Sequence, residues 1–470
     1  MRIFKRLQAF TCLFLLAASA LAQELPSTVI DALARAGIPF NAVGVFVQDV
    51  NVGKPSIVLN PAVPFNPAST MKLVTTNAAL DLLGPTFTWK TQAYITGSQT
   101  GDVLQGDLII KGGGDPKLVL ENFWLFLRRI RASGIREIRG NLLLDRSVFE
   151  EGSYDPALFD GDPLKPYNAG PDGLLLNYNA ITFKFQPDEA SGLVKVATDP
   201  PMAGYPVNGP RLTNGDCGDW HGKLQPVIED RSARFSGGFS ASCGERTWYV
   251  HPYPMSHVQY FGAVFRQMWS DAGGVFKGEV KNDVMPADAR LIAEWQSPAL
   301  SEVIRDINKY SNNVMARQLL LTLAADVYKR PGNPERGASV IKGWLNSKGI
   351  DVQGVTIDNG AGLSRLERIS AGVMGQMLVA AFRSPTMPEF ISSMPLVGYD
   401  GTMRRRFNGR NVAGNAHIKT GSLNDVRSMA GYVLAASGRR YAVVCLINHV
   451  NAPRSQEAQD ALLQWVYERG

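Results

Sequence analysis

The pair of residues with the most chemistry in it is Ser69 and Lys72, within Pro67-Ala68-Ser69-Thr70-Met71-Lys72-Leu73-Val74-Thr75-Thr76. Apolar residues recur at three- and four-residue spacing from Met71 to Leu83, with Pro67 ahead and Gly84-Pro85 behind. That pattern predicts a buried helix with Ser69 at its first turn. Side chains three positions apart on a helix share a face, so the Ser69 hydroxyl and the Lys72 amine can meet. Burial and the positive end of the helix dipole both bias the amine toward its neutral form, which can take the proton of serine. Spacing alone does not suffice, because Ser339-Val340-Ile341-Lys342 repeats it on an ordinary amphipathic pattern that ends near Gly349. Two later segments set Ser69 apart. Tyr310-Ser311-Asn312-Asn313 occupies a break between helical patterns, and His417-Ile418-Lys419-Thr420-Gly421-Ser422 opens an expected edge strand. Together they supply the parts of acyl transfer: a nucleophile (Ser69), a base (Lys72), a proton relay to the leaving amine (Ser311) and an amide holder (Asn313). Backbone N–H groups of Ser69 and Ser422 would stabilise the oxyanion, and Lys419 with Thr420, beside Gly421, would receive a substrate carboxylate.

The ordered trio S-x-x-K, S-x-N and K-T-G is the set found in penicillin-binding proteins and class A β-lactamases. The chain resembles the penicillin-binding protein 4 family, the D-alanyl-D-alanine carboxypeptidase/endopeptidases of peptidase family S13, over nearly all of its length. The long stretch between Ser69 and Ser311 fits that family's large insertion after the nucleophile helix. Lys111-Gly112-Gly113-Gly114-Asp115-Pro116, Asp145-Arg146-Ser147-Val148-Phe149, Pro395-Leu396-Val397-Gly398-Tyr399-Asp400-Gly401-Thr402 and Lys419-Thr420-Gly421-Ser422-Leu423 look like family sequence. One patch departs: the family's acidic D-G-S-G-L-S-R stretch appears as Asn359-Gly360-Ala361-Gly362-Leu363-Ser364-Arg365.

The resemblance implies a β-lactamase/transpeptidase-like α/β (α+β) domain split by a large β-rich insertion. It implies an exported, periplasmic serine DD-peptidase that works without metal or cofactor. The substrates would be peptidoglycan stem peptides ending in D-Ala-D-Ala and D-Ala-diaminopimelate cross-links, and β-lactams would acylate Ser69. In the family an acidic and an aromatic residue from the insertion contact diaminopimelate, and the matching positions look like Asp162 and Tyr167. Asp and Pro at the density seen around Asp162 also make ordinary solvated turns. A serine β-lactamase is the nearest rival, but no E-x-x-L-N segment lies between Ser311 and Lys419 to position a deacylating water. A catalytically silent wall-binding protein on the same fold is the third reading, and the intact trio speaks against it.

The elements that must position these residues follow from the pattern of the chain. Met1-Arg2-Ile3-Phe4-Lys5-Arg6, an apolar run from Leu13 to Leu16 and Ala20-Leu21-Ala22 read as a secretory signal over residues 1–22, cleaved after Ala22. The formal charge of +6 includes Arg2, Lys5 and Arg6 of that leader, so the mature chain has no basic excess that calls for nucleic acid. No later apolar run reaches membrane-helix length, and no membrane anchor is expected after cleavage. Cys12 leaves with the leader, and Cys445 sits in an apolar strand as a core thiol. Cys217 and Cys243 lie in Gly-rich stretches, where export favours a disulfide over two free thiols.

Residues 23–86 and 287–470 read as the transpeptidase-like domain. Their elements are a helix at 28–36, strands at 42–50 and 56–60, the Ser69 helix, then helices at 301–309, 313–328, 335–347 and 370–384. Strands at 428–435 and 441–448 and a helix at 455–468 complete it. Residues 87–286 read as mostly β, in two lobes: strands at 89–96, 103–111, 181–186, 193–197, 233–239 and 247–251, with one helix at 118–133. The Gly112 to Gly114 run lacks the lysine and helix of a phosphate loop and reads as a turn. His251 and His257 read as a Pro-rich loop without an acidic companion, which argues against metal. No serine sits in G-x-S-x-G, against an α/β-hydrolase.

Overall fold

A computed structural model describes residues 25–152, 154–407 and 409–470. The expected signal over 1–22, its cleavage site and Cys12 lie outside the described residues. At the centre is a five-stranded antiparallel sheet in the order Ile57–Leu59, Val43–Asp49, Arg440–Asn448, Val426–Leu434, Ala416–Leu423. The run Tyr441 to Ile447 is apolar at every position because the sheet is covered on both faces. Tyr441, Val443, Cys445 and Ile447 pack with helices Ser27–Ala36 and Gln456–Arg469. Ala442, Val444 and Leu446 pack on the opposite side, with helices Met71–Leu83 and Ala371–Phe382.

Helix Met71–Leu83 is the innermost element, with every residue from Met71 to Leu80 buried. A helix buried on every face belongs to a core, and this one is packed between the sheet and helices Leu300–Lys309, Asn313–Tyr328 and Pro334–Ser347. The α/β class with a transpeptidase-like sheet and a β-rich insertion is therefore the fold observed. The motif Lys419-Thr420-Gly421 lies well inside strand Ala416–Leu423, which is indeed the sheet's edge.

The inserted region has its own apolar core. It carries a five-stranded, a four-stranded and a seven-stranded sheet. Four expectations are corrected here. The segment 103–111 is two strands in different sheets, Val103–Gln105 and Leu108–Lys111. The break falls at Gly106, where a Cβ would stand 2.0 Å from the Thr96 carbonyl oxygen, so only glycine lets the chain cross there. A second helix, His257–Asp271, accompanies Leu120–Ala132. It is started by a capping box between Ser256 and Gln259 and buries Tyr260, Phe261, Val264, Phe265 and Trp269. The proline-rich approach to it, Pro252 to Pro254, hid its start. A short helix, Met387–Ser393, is also additional. Strand Arg290–Gln296 pairs with Lys90–Ile95, so the insertion's sheet takes in residues beyond 286.

Cys217 and Cys243 are joined by a disulfide, and Cys445 is buried and free. Among the described residues no helix is long and apolar enough to cross a membrane.

Candidate active site

Ser69 sits in a 3-10 turn, Ala68–Thr70, that runs directly into helix Met71–Leu83. The turn is tied from several sides. Asn66 Oδ1 accepts the Ala68 N–H at 2.9 Å, and the Pro67 carbonyl accepts the hydroxyls of Thr70 at 2.7 Å and of Ser428 at 2.6 Å. Ala68 has φ of 44° and Ser311 has φ of 58°, both in the left-handed region that non-glycine residues avoid. Such strain persists only where surrounding contacts over-determine the backbone, and here it aims two hydroxyls into one cleft.

Lys72 has no solvent exposure. Its Nζ lies 3.0 Å from Ser69 Oγ and 2.5 Å from Asn313 Oδ1, and it also donates to the Ala361 carbonyl. The last two are acceptors only, whereas the serine hydroxyl can donate as well as accept. A neutral amine can satisfy both fixed acceptors with its N–H groups and still offer its lone pair to the Ser69 proton. The Lys72 pKa is held well below the usual lysine range, first by burial and then by the Lys419 charge. Arg317 adds to that depression and Glu367 opposes it.

Ser311 lies between helices Leu300–Lys309 and Asn313–Tyr328. Lys419 Nζ donates to its Oγ at 2.9 Å and to the Thr420 carbonyl at 2.7 Å. Lys419 is itself fully buried, and burial lowers its pKa to about 7. This lysine therefore backs Ser311 through a direct hydrogen bond, a contact that its expected place as a carboxylate clamp did not anticipate. The Thr420 hydroxyl faces that of Thr402 at 3.1 Å. A Cβ on Gly421 would lie 2.7 Å from the Ser69 nitrogen and 2.9 Å from the Ala68 Cβ, so glycine lets the edge strand close on the Ser69 turn.

Ser69, Ser311, Asn313 and Ser422 line one open cleft of about 440 Å³, with Asp160 and Tyr167 on its far wall. The two insertion residues expected there behave differently. Tyr167 reaches the cleft, with Oη donating to Asp160 Oδ2 at 2.8 Å. Asp162 does not line it: its carboxylate accepts the Leu164 N–H at 3.3 Å and stands 3.6 Å from Lys165 Nζ. The acid of the cleft wall is Asp160. Burial works to raise its pKa, but donors from Tyr167, the Asp162 backbone and Asn168 outweigh this and hold it below the usual range. Tyr167 is pushed up to about 12 by burial and by Asp160.

Arg317, one turn beyond Asn313, fixes this wall to helix Asn313–Tyr328. It is 3% exposed and donates to the carbonyls of Tyr167 at 2.9 Å and Ala169 at 2.8 Å. Gln318 adds bonds to the backbone of Asp172 on both sides, at 2.8 Å each, and to Gly114. Sequence reasoning missed Arg317, although its spacing of four from Asn313 puts it on the same helix face. It also missed Glu367 and the Ala361 carbonyl, for which no local signal exists. His257 does have an acidic companion, contrary to expectation: Nδ1 stands 3.4 Å from Asp172 Oδ2. Burial with this helix brought them together, and Arg146 engages the same carboxylate through both its oxygens.

A family model described as the D-Ala-D-Ala carboxypeptidase 3 (S13) family matches residues 26–469. D-alanyl-D-alanine carboxypeptidase DacB of Haemophilus influenzae is 25% identical over 413 residues, covering 86% of this chain and 85% of that protein. The D-alanyl-D-alanine carboxypeptidase of Actinomadura sp. (strain R39) is 26% identical over 445 residues, covering 89% and 80%. The crystal structure of penicillin binding protein 4 from Haemophilus influenzae superposes with a TM-score of 0.78 at 23% identity, over 94% of this chain and 99% of that one. The same protein complexed with a β-lactam gives a TM-score of 0.74.

The close approach at Gly421 makes a direct prediction. Gly421→Ala should push the edge strand off the Ser69 turn and cut the rate at which Ser69 reacts with an acylating probe by at least about tenfold, with Tm nearly unchanged. Stopped-flow labelling and thermal unfolding of the variant measure both. Wild-type labelling would mean that the strand is not held against the nucleophile.

Proposed function

The chain belongs to the D-Ala-D-Ala carboxypeptidase 3 (S13) family, and from that premise we propose that it cleaves peptidoglycan stem peptides through an acyl-enzyme on Ser69. The observation that carries this reading is the buried Lys72 amine at 3.0 Å from Ser69 Oγ, with two fixed acceptors holding it there.

In the mechanism, Ser69 Oγ attacks the carbonyl carbon of the penultimate D-Ala while its proton passes to the lone pair of Lys72 Nζ. The carbonyl oxygen becomes an oxyanion, received by the backbone N–H groups of Ser69 and Ser422. Asn313 orients the stem amide. When the C–N bond breaks, the electron pair stays on the departing nitrogen, which takes a proton from Ser311 Oγ. Lys419, bonded to that oxygen, replaces the proton. Free D-Ala leaves, and the proton that Lys72 took from Ser69 passes through cleft water to refill Lys419. The neutral Lys72 amine then accepts a proton from the water that attacks the ester carbonyl and returns it to the departing Ser69 Oγ. A β-lactam enters by the same attack, but its leaving nitrogen remains tethered, so the acyl-enzyme persists. Lys419 and the Thr420 hydroxyl add positive character and a donor on the side where the terminal carboxylate lies.

Asp160 and Tyr167 give the cleft wall a carboxylate and an aromatic edge suited to the ammonium and aliphatic stem of diaminopimelate. A cross-link presents that same residue as acyl acceptor, so the endopeptidase activity uses the same wall. Action on the wall requires export to the periplasm, which the leader over 1–22 provides.

Two measurements test this. Lys72→Met keeps the volume of the buried chain and removes the base, so D-Ala release from a D-Ala-D-Ala stem peptide should fall by at least about a hundredfold with the fold intact. Release within a few-fold of wild type would remove Lys72 from the base role. Asp160→Asn should lower kcat/KM for diaminopimelate-containing peptide by about tenfold, the scale of one charge-assisted hydrogen bond. Its acylation by penicillin, which lacks that ammonium, should stay near wild type, and Asp162→Ala should alter neither. Equal losses on peptide and penicillin in Asp160→Asn would show a collapsed wall instead of a lost contact.

A further inference from the structure

Among the described residues, Glu367 is the one carboxylate that enters the charge balance of Lys72, and it is fully buried. Its Oε1 accepts two backbone N–H groups, from Asn359 at 3.1 Å and Gly360 at 2.9 Å. Thr75, one turn beyond Lys72 on the same helix, donates to the Gly360 carbonyl at 2.8 Å. Asn359 closes the turn on itself, accepting the Ala361 N–H at 2.9 Å and donating to the Leu363 carbonyl at 2.9 Å. Gly360 and Gly362 both have positive φ, and a Cβ on Gly362 would stand 1.9 Å from the Ala68 carbonyl oxygen. The turn is thus clamped between Glu367 and the nucleophile helix. Its product is the Ala361 carbonyl, which receives Lys72 Nζ.

We propose that Glu367 is the positioning residue for the Ser69–Lys72 pair: its carboxylate holds the 359–361 turn that fixes the lysine amine, and its charge sets how readily that amine holds a proton. The assignment rests on the acyl-transfer reading of Ser69 and deepens it. A neutral glutamine would serve the two N–H groups at lower desolvation cost than a buried carboxylate. Glu367 Oε2 has no hydrogen-bond partner among the described residues, so hydrogen bonding alone does not account for the acid. What the charge does meet is the buried Lys72 amine from the nucleophile helix and the buried guanidinium of Arg317 from helix Asn313–Tyr328. Asp358, on the turn's own approach, is the one like charge that bears on it, and burial with Asp358 raises the Glu367 pKa to about 7. The family pattern has an acid where this chain has the neutral Asn359, and Glu367 brings a carboxylate to the same turn from eight residues along the chain.

The direction of the effect follows from the charges. Ionised Glu367 raises the proton affinity of Lys72, and acylation needs Lys72 unprotonated, so its rate climbs as pH rises through the lysine's pKa. Glu367 carries its charge only above about pH 7, so it is on that part of the limb that removing the carboxylate lowers the lysine's pKa and speeds acylation. The experiment compares wild type, Glu367→Gln, Glu367→Ala and Ser69→Ala by fluorescent-penicillin acylation from pH 5 to 9, with amide hydrogen exchange of the 359–363 segment and thermal unfolding alongside. Glu367→Gln should keep the segment protected and displace the acidic limb to lower pH where it lies above about pH 7, the range in which Glu367 is charged. Glu367→Ala should expose the segment to fast exchange and slow acylation by about tenfold or more at every pH. A limb at the wild-type position in Glu367→Gln overturns the charge role, and wild-type exchange in Glu367→Ala overturns the positioning role. Labelling that survives Ser69→Ala would count against the acyl-enzyme alone, because the exchange measurement still decides what Glu367 does to the turn.

Discussion

A lysine amine with no access to water is the constraint on which the rest of this structure depends. Burying Lys72 as a cation would cost several kcal/mol, and neutralising it is the cheaper course. The three groups that receive its Nζ come from three distant parts of the chain: Ser69 on its own helix, Asn313 at the start of another, and the Ala361 carbonyl on a glycine-flanked turn. Each must arrive within hydrogen-bond distance or the amine is left unsatisfied. The all-round burial of helix Met71–Leu83, the left-handed Ala68 and Ser311, and the glycines at 360, 362 and 421 are all consequences of packing backbone that tightly around one nitrogen.

Buried side chains of helix Asn313–Tyr328 tie the inserted region to this centre. Arg317 and Gln318 reach from the catalytic helix into the backbone of Tyr167, Ala169, Asp172 and Gly114, and Trp89 Nε1 donates to Thr322 one turn further on, at 3.0 Å. Breaking such a bond leaves a buried carbonyl without a partner, at about 1–3 kcal/mol each, so the cleft wall is rigidly referenced to the helix that carries Asn313. The Arg317 cation also lies close enough to depress the Lys72 pKa, so one side chain acts on both the wall and the buried amine.

How much of this was legible in the sequence depended on the range of the interaction. Ser69 and Lys72 were legible because three-residue spacing on a helix is local geometry, and helix Asn313–Tyr328 and strand Arg440–Asn448 were legible from apolar periodicity. The Cys217–Cys243 bridge was legible from cysteine count and compartment. Val103–Gln105 and Leu108–Lys111 merged into one expected strand because a glycine crossing leaves no mark on an alternating pattern. Helix His257–Asp271 disappeared behind prolines that precede its cap. Asp160 was missed in favour of Asp162 because two acids in one turn differ only in which one the folded loop aims at the cleft. Glu367 and the Ala361 carbonyl gave no signal, since their roles exist only after the turn has closed on a helix far away in the chain.

The central claim is that Ser69, activated by Lys72, is the atom that becomes acylated. Its most direct test is peptide mapping by mass spectrometry of the protein quenched after brief exposure to benzylpenicillin, beside Ser69→Ala treated identically. The account predicts one penicilloyl group per chain, on the peptide containing Ser69, and no adduct in the variant. An adduct on any other residue, or equal modification of the variant, would contradict it.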